Sequence, residues 1–365
     1  MPAHTPTSNV ACLILPSPII PKNPIVHKTP ILPYKMKSRN YTIDLLRIIA
    51  CFAVVMAHVI GVPILKQTAL PGTFDYNLCL FLIGVRRWGV PIFLMITGFF
   101  MLDPAKDVPL KKLYGKNTLR ILTALIFWSF VYALVLHKPF YPLGSQETHF
   151  WYLGMIIGVY VAVPILRLVT ANPTMMRYFV IAWFCMMMYG FIGNFVTLPF
   201  DMQDVLFAKF AGYCVLGYYI KYLSTLTPSD VPNIRRIRHG IYVLGLLGLI
   251  VTAVGTVISQ NDESVLLGYS SPNMIFCSAA ILLYGACHPL QISGRKAALL
   301  LNCSECTFGI YLVHVLILIE IYNRLARFVP QMVPHMILSI LIAFFVGYGI
   351  TFLLKKIPVV NKYIV

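Results

Sequence analysis

Long apolar runs separated by short polar and basic stretches dominate this chain. A membrane-crossing helix needs about 20 mostly apolar residues. Runs of that kind lie near residues 42–65, 78–101, 119–137, 150–169, 178–198, 206–222, 239–258, 270–288, 306–327 and 336–356. The pattern predicts ten spans. Two are less uniform: 78–101 carries Arg86 and Arg87, and 206–222 is short. The runs are continuous rather than alternating, which argues against a transmembrane barrel. Ahead of the first run, residues 1–40 are Pro-rich and contain no acidic residue. Their one apolar stretch, Val10 to Ile20, is short and broken by Pro16 and Pro18, so it does not read as a span. The chain therefore divides into a disordered, Pro-rich cytoplasmic tail (1–40) and one all-α polytopic membrane domain (41–365). Met36, followed by Lys37 and Arg39, would make a natural alternative start.

Composition sharpens this. Of 365 residues, 59% are hydrophobic and 11% charged, with a mean hydropathy of +0.79. A soluble domain carries about 25% charged residues. An ordinary soluble enzyme and a disordered chain are excluded. The remaining charge is lopsided, 29 Lys and Arg against 12 Asp and Glu, a net +17. In a soluble protein that balance would suggest nucleic acid; here its distribution gives an orientation and no nucleic-acid partner. The tail, 102–120, 167–177, 221–238, 289–305 and the C-terminal segment hold 21 of the 29 basic residues. The opposite face holds seven: Lys66, Arg86, Arg87, Lys138, Lys209, Arg324 and Arg327. Arg47 lies inside the first run. This bias places both termini in the cytoplasm, in agreement with an even number of spans. The nine cysteines lie mostly in apolar runs, so no disulfide framework is expected. The single Cys303-x-x-Cys306 pair does not make a metal site, and none is expected.

Ionisable groups inside spans are costly and mark function. The first span contains Asp44, Arg47 and His58. Asp44 and Arg47 are spaced to pair on one helix face. Arg47 and His58, eleven residues apart, return to nearly the same face, about 16 Å apart along the axis. Imidazole moves protons near neutral pH, so His58 is a candidate base or nucleophile; the plainer reading is a hydrogen-bonded polar group. Arg86 and Arg87 fall at the depth of His58 when both are counted from the outer ends of their spans. A guanidinium there can bind carboxylate or phosphate, or stabilise an oxyanion; alternatively it snorkels into the headgroups. His149 and Trp151 open the fourth span, as substrate contacts or interfacial aromatics. His314, three residues after Tyr311, either meets substrate or bonds between helices. Glu320 is either a substrate contact or the i,i+4 partner of Arg324. Lys111, Lys112 and Lys116, with Arg120, either bind donor phosphates or simply mark a cytoplasmic loop. No Gly-rich phosphate loop or nucleophile elbow is present. A transporter, and a non-catalytic envelope assembly protein, both remain compatible with these residues.

Four stretches carry a resemblance. They are Ile43 to Ala50 followed by His58, with Arg and His separated by ten residues; Arg87-Trp88-Gly89-Val90-Pro91 running to Thr97-Gly98-Phe99; His149-Phe150-Trp151-Tyr152-Leu153; and Ser304 to His314, ending Tyr311-Leu312-Val313-His314. Their order resembles the membrane-bound acyltransferase family 3. Thr97 stands where Ser is commoner. The short form is most similar to bacterial surface-glycan O-acetyltransferases, including the enterobacterial common antigen type. The resemblance implies an enzyme of the bacterial inner membrane, in contact with membrane lipids. It would take acetyl from cytoplasmic acetyl-CoA as co-substrate, without a metal, and pass it to a glycan or lipid-linked saccharide acceptor. It casts His58 as the essential His, Arg47 as its partner, and Arg86 and Arg87 as the second-helix Arg cluster.

Overall fold

A computed structural model describes residues 39–66, 68–142, 148–198 and 207–365. The Pro-rich tail lies outside the described residues except for Arg39 and Asn40, which are part of the folded domain. The elements are α1 (Tyr41–Leu65), α2 (Phe74–Arg86), α3 (Gly89–Met101), α4 (Leu110–Lys112), α5 (Leu119–Val135), α6 (Trp151–Thr170), α7 (Pro173–Ile192), α8 (Phe207–Thr225), α9 (Ile234–Ser259), α10 (Pro272–Cys287), α11 (Gly294–Ala326), α12 (Met332–Leu354) and α13 (Pro358–Tyr363). A π-helical stretch, Leu113–Thr118, joins α4 to α5. Among the described residues there is no strand.

Among the described residues, nine segments are long and apolar enough to cross a membrane, with α2 and α3 counted as one and α4 to α5 as another. Their outer faces carry large apolar side chains such as Leu168, Ile181, Val254, Phe345 and Leu353, all exposed. Such continuous exposed apolar surface suits lipid rather than water. The predicted run at 206–222 does form a helix, α8, but Lys209, Lys221 and four tyrosines leave it less apolar than the other spans. Its position explains the difference. α8 packs against α3, α6, α7 and α10, so protein rather than lipid covers it.

Close backbone approach builds that centre. A Cβ on Gly98 of α3 would lie 1.8 Å from the Cys214 carbonyl oxygen of α8, and one on Gly217 would lie 2.0 Å from that of Met95. Only glycine lets these two helices meet at that distance. Beyond the end of α3, Lys221 Nζ donates to Asp103 Oδ2 at 2.6 Å, and both groups are buried.

The predicted span 78–101 is not one continuous helix. α2 ends at Arg86 and α3 begins at Gly89, with Arg87 and Trp88 in a turn. Pro91 has no N–H to give the Arg87 carbonyl four residues back, and its ring crowds that carbonyl. The break therefore falls directly after Arg86 and takes in Arg87, the two charged residues of this span. At the start of α1, Asn40 caps the helix: its Oδ1 accepts from Thr42 N at 3.0 Å, and its Nδ2 donates to Gly285 O of α10.

Candidate active site

A cavity of about 790 Å³ runs along the inner faces of α1, α3, α6 and α11. Arg47 and His58 both line it, in accord with their eleven-residue spacing. Its wall also carries apolar side chains, Ala53, Val54, Ala57, Phe93, Ile156 and Phe308, beside the hydroxyl-bearing Thr97, Tyr152, Tyr160 and Thr307.

At one end the cavity is bounded by three histidines. The ring centroid of His58 lies 5.0 Å from that of His314 and 5.8 Å from that of His149, and the last two are 5.4 Å apart. His149 comes from the turn just before α6 and is buried; His314 comes from α11 and is fully buried. Tyr132 of α5 and Tyr311 of α11 hold the flanking rings. His149 Nε2 lies 3.4 Å from Tyr132 Oη, and His314 Nδ1 lies 2.6 Å from the Tyr311 carbonyl oxygen. His314 Nε2 is buried without a hydrogen-bond partner among the described residues. Among those residues no group of three His, Cys, Asp or Glu is arranged to hold a metal ion.

Arg86 and Arg87 line the same end but differ in their surroundings. Arg87 Nε donates to Leu267 O at 2.8 Å, and its guanidinium lies 4.5 Å from the centre of the Tyr269 ring, so it is clamped. The Arg86 side chain has neither a hydrogen bond nor an ion pair among the described residues, and its Nε is buried. It lies within electrostatic reach of His58. An unpaired guanidinium in an apolar interior is costly, and it is chemically ready for an anion or a developing oxyanion. Trp151 also lines this end, tilted against Phe210 and Tyr269 at centroid separations of 5.7 and 6.1 Å. Such rings can stack on the faces of a sugar ring.

The other end is polar and basic: Arg47, Asn117, Arg120, Ser304, Lys355 and Asn361 line it. Asp44 is shared there. Its bidentate partner is Arg39, at 2.8 and 3.0 Å, while Arg47 is the looser partner at 3.7 Å. The expected Asp44–Arg47 pair is thus the weaker of two, because Arg39 can lay two N–H groups along the carboxylate. Arg47 reaches instead toward Ser304 Oγ, at 3.4 Å. Lys355 pairs with Glu305 at 2.8 Å.

Of the candidates read from the sequence, Arg47, His58, Arg86, Arg87, His149 and Trp151 line the cavity, and His314 abuts it. Glu320 does not. It pairs with Arg324 at 2.9 Å on an exposed face. α11 has 33 residues, about 50 Å of helix, which is longer than a hydrocarbon core of about 30 Å requires. Lys111, Lys112 and Lys116 are exposed and away from the cavity; of that basic stretch only Arg120, on α5, turns inward. Tyr269, from the α9–α10 connection, and Lys355 and Asn361, near α12 and α13, were not foreseen. The first lies in a loop with no periodicity, and the other two looked like ordinary flanking charge and polarity.

No curated protein and no solved structure shows significant similarity to the chain. A family model described as an acyltransferase domain, that of acyltransferase family 3, matches residues 40–356, nearly the whole of the folded region. The polytopic helical fold, the ordered motifs and this match agree, and the chain belongs to acyltransferase family 3.

Proposed function

We propose that this protein is a membrane O-acetyltransferase that moves acetyl from acetyl-CoA to a hydroxyl of a surface or lipid-linked glycan. The observation that carries the reading is the titratable ring of His58 facing the same cavity as the unpaired guanidinium of Arg86. Acyl transfer to a hydroxyl needs a base for the alcohol proton and donors for the oxyanion of the tetrahedral intermediate. His58 supplies the first and Arg86 the second. In direct transfer the hydroxyl gives its proton to His58 while its oxygen bonds the acetyl carbon. The carbon–sulfur bond then breaks, and His58 returns the proton to the CoA thiolate. In the two-step route His58 itself takes the acetyl and passes it on.

The sorting of basic residues supports a topology with the Arg47, Arg120 and Lys355 end at the cytoplasmic face, where acetyl-CoA is found. The nucleotide phosphates of the donor would lie by Arg120 and Lys355, with the pantetheine arm extended along the cavity wall toward His58. The acceptor would enter by Trp151 and Tyr269 from the opposite face of a bacterial inner membrane.

The test is CoA release and acetyl transfer by purified protein in lipid nanodiscs given labelled acetyl-CoA. We expect turnover that His58→Ala lowers at least about 10²-fold. Undiminished turnover in His58→Ala would overturn the assignment. Label retained on the protein when acceptor is withheld would identify the two-step route.

A further inference from the structure

We propose that the acceptor is an anionic saccharide, its carboxylate or phosphate held between Arg87 and Lys209 and its sugar ring laid against Trp151. The proposal rests on the acyl-transfer reading and names its acceptor class. It follows from where unpaired positive charge gathers around the Trp151 end of the cavity.

Three aromatic rings meet there. Trp151 opens α6, Phe210 lies in the first turn of α8, and Tyr269 comes from the α9–α10 connection. Trp151 lies 5.7 Å from Phe210 and 6.1 Å from Tyr269 between centroids, and Phe210 and Tyr269 are 6.1 Å apart. Two of these rings carry a cation. The Arg87 guanidinium lies 4.5 Å from the Tyr269 centre, and Lys209 Nζ lies 5.7 Å from the Phe210 centre. The two cations are within electrostatic reach of each other. Arg86, the residue before Arg87, lines the same end of the cavity.

Like charges gathered in an apolar setting repel, and they are stable together only with a counter-charge. Among the described residues none is supplied. Their carboxylates pair elsewhere: Asp44 with Arg39 and Arg47, Asp103 with Lys221, Glu305 with Lys355, and Glu320 with Arg324. Arg86 Nε is buried and unpartnered. Lys209 Nζ and the terminal amino groups of Arg87 donate to no group among the described residues. Nor is this ordinary surface charge. The face opposite the Lys- and Arg-rich one carries seven of the 29 basic residues, and three of the seven gather here. Lys66 and Arg324 on that face have partners, Asn323 and Glu320.

Arg87 is prepared for a two-point contact. Its Nε is engaged by Leu267 O at 2.8 Å and its flat face by Tyr269, which sets the plane of the guanidinium and leaves both terminal amino groups to donate. A guanidinium presented in this way takes a carboxylate or phosphate through parallel N–H bonds, and Lys209 adds a point charge. The carboxylate of an acidic sugar and the phosphate that joins a sugar to lipid share that chemistry. Trp151 is 39% exposed and offers an open face to the sugar ring. An anion anchored here ties the saccharide to the end of the cavity that holds His58, so binding of the charged group helps to orient the reacting hydroxyl.

Binding and turnover test this separately. Protein in phosphatidylcholine nanodiscs, with CoA in excess, is titrated with methyl glucuronide, glucosyl phosphate, methyl glucoside and inorganic phosphate by saturation-transfer NMR. We expect at least one charged sugar to bind about tenfold more tightly than methyl glucoside, which lacks the charge, and than inorganic phosphate, which lacks the ring. Tighter binding of the glucuronide assigns a carboxylate; tighter binding of glucosyl phosphate assigns a phosphate. Arg87→Gln and Lys209→Gln should each bring the charged sugars to within about twofold of methyl glucoside, and Lys209→Arg should keep the preference. No preference for charge in the native protein, or a preference that survives both Gln variants, would overturn the proposal. Inorganic phosphate binding as tightly as the charged sugars assigns the cations to lipid headgroups and overturns it as well. In CoA release, Lys209→Gln should leave KM for acetyl-CoA within about twofold; a tenfold rise assigns the cations to the donor, against the proposal. If the native protein turns over no acetyl-CoA, the acyl-transfer reading fails instead, and the titration still decides whether a charged sugar is bound.

Discussion

Arg86 and Arg87 are adjacent in sequence and opposite in circumstance. Arg87 is held by a carbonyl and an aromatic face, while Arg86 lies beside His58 with nothing to neutralise it. A side chain kept at such cost contributes to stability and to chemistry with opposite signs. Arg86→Met should therefore leave the melting temperature unchanged or raise it, because it removes an unpaired buried charge. In the same variant kcat should fall about 10²–10³-fold, the usual loss for one oxyanion donor. Thermal melts and CoA-release kinetics on one preparation check both halves; a large drop in melting temperature would contradict this account. At this scale the sequence was informative where a residue broke the hydropathy pattern. His58, Arg47 and the Arg pair stood out because each is expensive in an apolar run. The convergence of His149 and His314 on His58 was not legible. It depends on where α6 starts and on the rotation of α11, and no spacing within a single helix encodes either. Glu320 stood out by the same logic as His58, yet it is paired with Arg324 on an exposed face.

Among the elements, the α2–α3 break and the α3–α8 contact set the site. Pro91 leaves Arg87 in a turn between two half-helices. Gly98 stands in the sequence within a motif, but nothing there names the helix it packs against. That partner, α8, is the least apolar of the predicted spans, because a helix covered by protein needs no lipid-facing side. Counting by hydropathy therefore separates α8 from the nine lipid-facing segments. Gly98→Val places side-chain carbon where the Cys214 carbonyl already lies. Overpacking costs about 1–3 kcal/mol even where neighbours are flexible, and backbone does not yield easily. We expect a lowered melting temperature and a lower yield of inserted protein, measured beside Gly61→Val, where a Cβ meets nothing within 4 Å.

The whole molecule is tied at the far end of α3 by the buried pair of Asp103 and Lys221. Burial alone would raise the Asp103 carboxyl; the Lys221 hydrogen bond and charge, with the Ala105 N–H and Lys106, hold it below its ordinary value. A depressed carboxyl stabilises the fold fully above the unfolded value of about 3.9, and the contribution is lost as pH falls through the lower, folded value. Asp103→Asn leaves Lys221 charged and buried and should cost about 3–5 kcal/mol near neutral pH. Melts from about pH 7 down to about pH 3 should show the gap to the native protein narrowing in acid; a gap independent of pH would contradict the assignment.

The cavity has one more consequence. A protein that spans a bilayer must also insulate it, and this one is hollow from the cations around Arg47 to the histidines around His58. Between the two ends it is lined by Ala53, Val54, Ala57, Phe93, Ile156 and Phe308 among others. Moving one elementary charge through a 100 mV potential releases about 2.3 kcal/mol, so a hollow of this length is a hazard to the gradient. We expect a substitution that carries charge into this stretch, such as Ala57→Asp, to raise proton leak through vesicles holding the protein above that of the native chain.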